Sequence, residues 1–244
     1  MQPISKYAYR VQHMDVGFQE KLRFVKLGNY LLHAAGLHAN DNGFGVDVLT
    51  AENRAWVLSR FAVEMNRYPV AGEAFTVETW IENFERVFTT RNFRVTDADD
   101  VVIGSGTTIW CLIDIQERKA VDFGLKPDYK PFATGIPSLI GGVKKVAELN
   151  SEPISRHRIK YSDIDFNRHT NSMKYIEWML DLLPMSYYVA KQVKRMDVQF
   201  VREALYGEVV DVLTDQPQPD CHVFGLKREG ETVCKASFLF ENVV

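Results

Sequence analysis

In the stretch YSDIDFNRHTNSMKYIEW (residues 161–178), a carboxylate, an amide and an imidazole fall at every second position: Asp165, Asn167 and His169. In an extended segment this spacing places three polar side chains on one face. Such a set can orient a carbonyl group and a water molecule together. An apolar helix is predicted to begin immediately afterwards, and the free N–H groups of its first turn could hold a carbonyl oxygen as it becomes negative. Glu203, in VQFVREALYGE, is either a surface strand carboxylate or a general base for water, the second role requiring burial to raise its pKa toward the working pH. The competing reading of Asp165, Asn167 and His169 is a polar loop that only caps the helix.

An internal repeat separates these readings. YRVQHMDVGF (residues 9–18) aligns without a gap on HRIKYSDIDF (residues 157–166), matching Arg10 with Arg158, Val11 with Ile159, Asp15 with Asp163, Val16 with Ile164 and Phe18 with Phe166. A second block, RFAVEMNRYPVAGEAFTV (residues 60–77), aligns on RMDVQFVREALYGEVVDV (residues 195–212), matching Arg60 with Arg195, Val63 with Val198, Arg67 with Arg202, Gly72 with Gly207 and Glu73 with Glu208. Opposite Asp165, Asn167 and His169 the first copy has Gly17, Gln19 and Lys21, and opposite Glu203 it has Tyr68. A scaffold that accepts those replacements does not require the polar set. The second copy carries something that folding alone does not ask for.

The elements around these residues also repeat. Apolar helices are predicted over residues 24–37 and 171–183, the second capped by Thr170 or Asn171 and stopped by Pro184. Both are apolar over most of their circumference, as helices wrapped by other elements are. Alternating or β-branched runs at residues 74–81, 87–96, 101–115, 222–227 and 233–241 read as strands, and each Gly-Glu step (Gly72-Glu73, Gly207-Glu208) as a turn between two strands. The fold class is therefore α+β, each half a long buried helix wrapped by an antiparallel sheet. The expected division is residues 1–125, a linker at 126–155 and residues 156–244. The linker holds Pro127, Pro131, Pro137, Pro153 and Gly141-Gly142, with a short helix expected over 139–149.

Composition narrows the function classes. Twenty-nine Lys and Arg against 32 Asp and Glu leave a net charge of -3, unlike a dedicated nucleic-acid binder. Cys111, Cys221 and Cys234 are odd in number and widely spaced, which reads as reduced thiols in a cytosol-like compartment. No targeting segment and no membrane span is expected. Gly104-Ser105-Gly106 lacks the context of a dinucleotide loop, Gly141-Gly142 with Lys144 has the wrong spacing for a phosphate loop, and His13, His33, His38, His157 and His222 show no ligand spacing. Neither a metal nor an organic cofactor is expected.

The run SDIDFNRHTNSMKYIEWMLDLLP, followed by QFVREA, closely resembles the signature of the plant-type acyl-ACP thioesterases, and the similarity extends over both halves. The resemblance implies a tandem (double) hotdog fold and hydrolysis of fatty acyl-ACP to free fatty acid and acyl carrier protein. It implies a catalytic set of Asp165, Asn167, His169 and Glu203 in the C-terminal half, with Asn171 and Tyr175 as substrate-binding residues. The N-terminal half would hold the acyl chain, lined by the helix at 24–37 and by Trp56, Trp80, Phe84 and Trp110. An acidic carrier protein would meet Lys144, Lys145, Arg156, Arg158, Lys160, Arg168 and Lys174. Two departures stand out. Plant members have a cysteine after the glutamate where this chain has Ala204, and paired asparagines where it has Asn171-Ser172. The lack of a transit peptide suits a bacterial cytoplasmic relative. The rival readings are an acyl-CoA thioesterase, a hotdog dehydratase and a non-catalytic acyl or carrier-protein binding module. A homodimer is compatible with the sequence, which marks no surface for it.

Overall fold

In the computed structural model, which describes residues 2–125 and 127–243, the chain divides into two units, Met1–Val143 and Lys144–Val244. Lys126, where the expected linker begins, lies outside the described residues. The first unit runs β1 (Ile4–Arg10), α1 (Phe24–Asp41), α2 (Val46–Ala51), β2 (Arg54–Met65), β3 (Ala74–Phe84), β4 (Phe88–Asp97), β5 (Val102–Asp114) and β6 (Lys119–Ala120). Its strands pair antiparallel in the order β1-β3-β4-β5-β2, with β6 on β5. The second unit runs β7 (Ser155–Arg158), α3 (Ser172–Leu180), α4 (Met185–Ala190), β8 (Lys191–Phe200), β9 (Val209–Gln218), β10 (Cys221–Arg228) and β11 (Glu231–Asn242). Its antiparallel order is β7-β9-β10-β11-β8. The two orders are one topology, so the sequence repeat is a repeat of architecture.

Each helix is held by apolar spacing. On α1, Phe24, Leu27, Leu31, Ala34, Ala35, His38 and Ala39 recur every three or four residues and are buried. Asn29, His33, Gly36 and Asn40 form its exposed stripe, whereas no residue of α3 is exposed. Full wrapping therefore holds for α3 and only in part for α1. Close approach needs a small residue in the sheet. A Cβ on Gly106 would lie 3.2 Å from the Ala62 carbonyl oxygen and 3.4 Å from Leu31 Cδ1. Gly106 pairs with Val63, and the buried Ala236 holds the equivalent place opposite Val198. Leu27 and Leu31 are fully buried, each worth about 1.5–3 kcal/mol of transfer free energy.

The strands and turns expected from sequence are present. Gly72 and Gly207 have φ of 79° and 84°, a region that glycine enters without a Cβ clash. Their N–H groups donate to Val11 O and Ile159 O at 2.9 and 3.0 Å. The helices differ in length from expectation. The first continues to Asp41, while the second ends at Leu180 and α4 follows Pro184. The short helix expected over residues 139–149 does not form. Gly141 and Gly142 take φ of 68° and 80°, outside the helical region. Beyond them the Lys144 N–H donates to Asp197 Oδ1 at 2.7 Å, and Val146 and Leu149 pack on Leu213 and Val223.

The aromatic residues proposed for a tunnel have identifiable contacts in the first unit. Trp80 is buried and its indole N–H donates to Ile136 O at 2.9 Å. Trp56 donates to Phe44 O at 3.2 Å and stacks on Phe123, which Phe84 meets edge-on. Trp110 donates to Thr108 Oγ1 at 2.8 Å. No helix among the described residues is long and apolar enough to cross a membrane, and the cysteines are free.

A buried polar pair ties α1 to β4. The Arg91 guanidinium donates to His38 Nδ1 at 3.1 Å, which leaves the other ring nitrogen, Nε2, to donate to Gln2 O at 3.0 Å. Burial, with Arg91 beside it, pushes the His38 imidazole down to about 4. The unfolded chain then takes up the proton first as pH falls. The stability from neutral His38 is complete above the ordinary histidine pKa of about 6.5 and is lost as pH drops toward 4, at about 1.4 kcal/mol per unit. Urea unfolding between pH 7.5 and 4 should show this decline, and His38→Gln, which keeps a donor and an acceptor but no titration, should make it shallower. An equally steep decline in the variant would contradict the assignment.

Candidate active site

The predicted polar set lies in the loop between β7 and α3. Ile164 and Thr170 form an antiparallel bridge, and the intervening residues turn. The Asp165 N–H donates to His169 O at 2.9 Å and the Arg168 N–H to Asp165 O at 3.0 Å, with Arg168 at φ 67°. The extended, one-faced arrangement expected from the alternating spacing is therefore corrected to a tight turn. Asp165 reinforces the turn, its Oδ1 accepting the N–H of Asn167 at 2.8 Å and of His169 at 3.3 Å. Asp165 braces the loop, Asn167 is exposed and His169 is half-buried.

The first half builds the same loop without that carboxylate. There the Gly17 N–H donates to Lys21 O at 2.9 Å, the Glu20 N–H to Gly17 O at 2.9 Å, and Glu20 has φ 61°. Val16 and Leu22 form the matching bridge. Arg23 N–H to Asp15 O, 3.0 Å, matches Asn171 N–H to Asp163 O, 2.8 Å. The loop's course belongs to the scaffold, and the side chains of Asp165, Asn167 and His169 are additions to it.

Glu203 arrives from the loop between β8 and β9. Its Oε2 lies 3.3 Å from His169 Nε2, the two side chains being 45% and 39% exposed. The burial expected of a general base is not present. What joins the two loops is the next residue. Thr170 donates to Ala204 O twice, through its N–H at 3.0 Å and its hydroxyl at 2.7 Å. The Ala204 N–H donates to the Tyr175 hydroxyl oxygen at 3.2 Å. Tyr175, assigned to substrate binding from sequence, is buried, and burial pushes its hydroxyl above the usual range, so it stays neutral.

Asn171, the other expected binding residue, caps α3: its Oδ1 accepts the Met173 N–H at 2.8 Å. The Lys174 N–H goes to Asn171 O, while the Ser172 N–H finds no acceptor among the described residues. One free donor thus stands at the start of α3, one turn from His169. Beneath the loop, buried Asp163 accepts the Lys160 N–H at 2.8 Å and meets His157 Nε2 at 3.2 Å, and the His157 ring stacks on Trp178 at 3.9 Å. Sequence reading missed this support and the Thr170 contacts. The signal for both was the alignment that pairs Asp15 with Asp163 and places Leu22 opposite Thr170. Among the described residues no three His, Cys, Asp or Glu side chains converge as metal ligands.

Comparison with known proteins places this geometry in a family. Residues 4–126 match the acyl-ACP thioesterase N-terminal domain and residues 146–242 the acyl-ACP thioesterase C-terminal domain. The chain belongs to the acyl-ACP thioesterase family, and its two units are the halves of a double hotdog. An acyl-ACP thioesterase from Bacteroides thetaiotaomicron is 36% identical with a TM-score of 0.90, the match covering 98% of each chain. A 12:0-ACP thioesterase from Umbellularia californica, 20% identical over 100% of this chain and 99% of its own, shares the fold at TM-score 0.88. The chloroplastic oleoyl-acyl carrier protein thioesterase of Coriandrum sativum is 27% identical over 88% of this chain, which spans 63% of that protein's length.

Removing the cap should be measurable by itself. Asn171→Ala should cost about 1 kcal/mol and lower Tm by about 2–4 °C, with Asn171→Asp retaining most of the stability. An unchanged Tm in Asn171→Ala would show that the cap contributes nothing.

Proposed function

We propose that the chain hydrolyses the thioester of a fatty acyl group carried on acyl carrier protein, releasing the free acid and the carrier thiol in the cytoplasm. The observation that supports this most is the 3.3 Å approach of His169 to Glu203 beside the start of α3, in a chain of this family. Glu203 accepts a proton from a water that attacks the thioester carbon, and His169 orients that water. Asn167 and the free Ser172 N–H stabilise the oxyanion. The C–S bond then breaks, and the departing sulfur takes up a proton as thiol. Asp165 holds the loop through the N–H groups of Asn167 and His169. Ala204 offers no nucleophilic side chain beside Glu203, and in this reading water attacks directly. The bound acyl-carrier covers the exposed Glu203 and desolvates it. We assign the hydrocarbon pocket to the N-terminal half, whose loop carries Gly17, Gln19 and Lys21 and none of this chemistry.

Glu203→Gln and Asn167→Ala should each lower kcat about 100- to 1000-fold on acyl-ACP, with Tm unchanged because both side chains are exposed. Near wild-type turnover in both would sink the assignment.

The carrier is argued from charge. Arg156 and Lys174 are paired with Asp211 and Glu177, whereas Arg158, Lys160 and Arg168, on the strand and loop that lead to the site, have no carboxylate partner among the described residues. Cations without a carboxylate partner there attract an acidic carrier and raise its encounter rate. On acyl-ACP, kcat/KM should fall as salt rises, and matched acyl-CoA should be the poorer substrate. A flat salt response with acyl-CoA preferred would replace the carrier protein with coenzyme A.

A further inference from the structure

We propose that Thr170 and Tyr175 are positioning residues that clamp the Glu203 loop so that its carboxylate meets His169, an inference that rests on the hydrolytic reading above. The two halves of the chain supply the comparison. In the first, the equivalent loops are joined through their backbones, by Leu22 N–H to Pro69 O at 2.9 Å and Ala71 N–H to Glu20 O at 3.2 Å. Leu22 has no hydroxyl to add a side-chain bond on the Pro69 oxygen, and Pro69 has no N–H to give. In the second half the matching backbone bond is kept at 3.0 Å, and two more surround it: the Thr170 hydroxyl on the same Ala204 oxygen at 2.7 Å, and the Ala204 N–H on the Tyr175 hydroxyl at 3.2 Å.

The first half builds the same fold with leucines, Leu22 and Leu27, at the places of Thr170 and Tyr175. The added bonds occur in the half where the residue beside Ala204 is Glu203. They satisfy both backbone groups of Ala204, a residue fully buried while its neighbour Glu203 stays exposed. Tyr175 lies on α3 and Thr170 precedes it, so the clamp refers Glu203 to the helix whose first turn carries the free Ser172 N–H. Thr170 follows His169 directly. One residue therefore carries the imidazole, and the next fixes the distance to the carboxylate. The pair cannot do this for itself, because two side chains exposed by 39% and 45% hold each other weakly.

Displacing a reacting group by about 1 Å can cost roughly 100-fold in rate. Thr170→Val, which keeps shape and loses the hydroxyl, should lower kcat about 10- to 100-fold with KM unchanged, and Thr170→Ser should restore most of it. Tyr175→Phe should act in the same direction. In a Glu203→Gln background Thr170→Val should have almost no further effect, since the group being positioned is gone. A second readout does not depend on turnover. The Ala204 amide should exchange its hydrogen at least about tenfold faster in Tyr175→Phe than in wild type, with Tm recorded alongside. Wild type without thiol release would overturn the hydrolytic reading, and the Ala204 exchange rates would still decide the clamp. Equal exchange rates, or a Thr170→Val effect as large in Glu203→Gln as in wild type, would overturn the proposal. Should Thr170→Val fail to fold, Tyr175→Phe and Thr170→Ser carry the test.

Discussion

A buried helix must begin somewhere, and the chain that leads into it has to satisfy its own backbone before the helix can. In both halves the answer is the same. The approach loop turns on itself, and the residue after the turn donates its N–H to a second loop that leads into the third strand of that half: Leu22 to Pro69 in one, Thr170 to Ala204 in the other. That crossing contact sets which side chains of two distant stretches of sequence can meet. The catalytic set proposed for the second half hangs from it, because His169 and Glu203 are the residues immediately before its two ends.

The energetics argue in the same direction. An exposed ion pair is worth about 0–1 kcal/mol, too little to draw two loops together. Neutral backbone and hydroxyl hydrogen bonds contribute about 0.5–1.5 kcal/mol each, and leaving a buried group unpaired costs more than making the bond gains. Ala204 is buried with both backbone groups bonded, so the loop cannot shift without breaking several bonds at once. The polar pair is a passenger on a backbone arrangement that exists without it in the first half. A duplicated scaffold can therefore carry the polar set in one copy and omit it from the other.

How much of this could be read from the residues depends on what each feature rests on. The repeat was legible because it lives in side chains that the topology needs twice: Asp15 and Asp163, Gly72 and Gly207. The contrast of Gly17, Gln19 and Lys21 with Asp165, Asn167 and His169 was legible for the same reason. The shape of the loop was not, because alternation suggests a strand while the chain turns in both halves on a residue in the left-handed region, Glu20 in one and Arg168 in the other. The helix expected over 139–149 failed because apolar spacing there competes with two glycines in the left-handed region. The six-residue helices α2 and α4 were missed, being too short for periodicity to register. The meeting of His169 and Glu203 was expected on family likeness. Its cause, the bonds to Ala204, is a tertiary fact that no local pattern encodes.

The central claim is that water, prepared by this pair of loops, cleaves a thioester. A single turnover of acyl-ACP in H2-18O tests it most directly, with mass spectrometry of the product acid and titration of the carrier thiol. The account predicts one thiol per acyl group and one 18O atom in each freed carboxylate. An acyl group that stays on its carrier, or that loses water from its chain while the thioester remains intact, would contradict it.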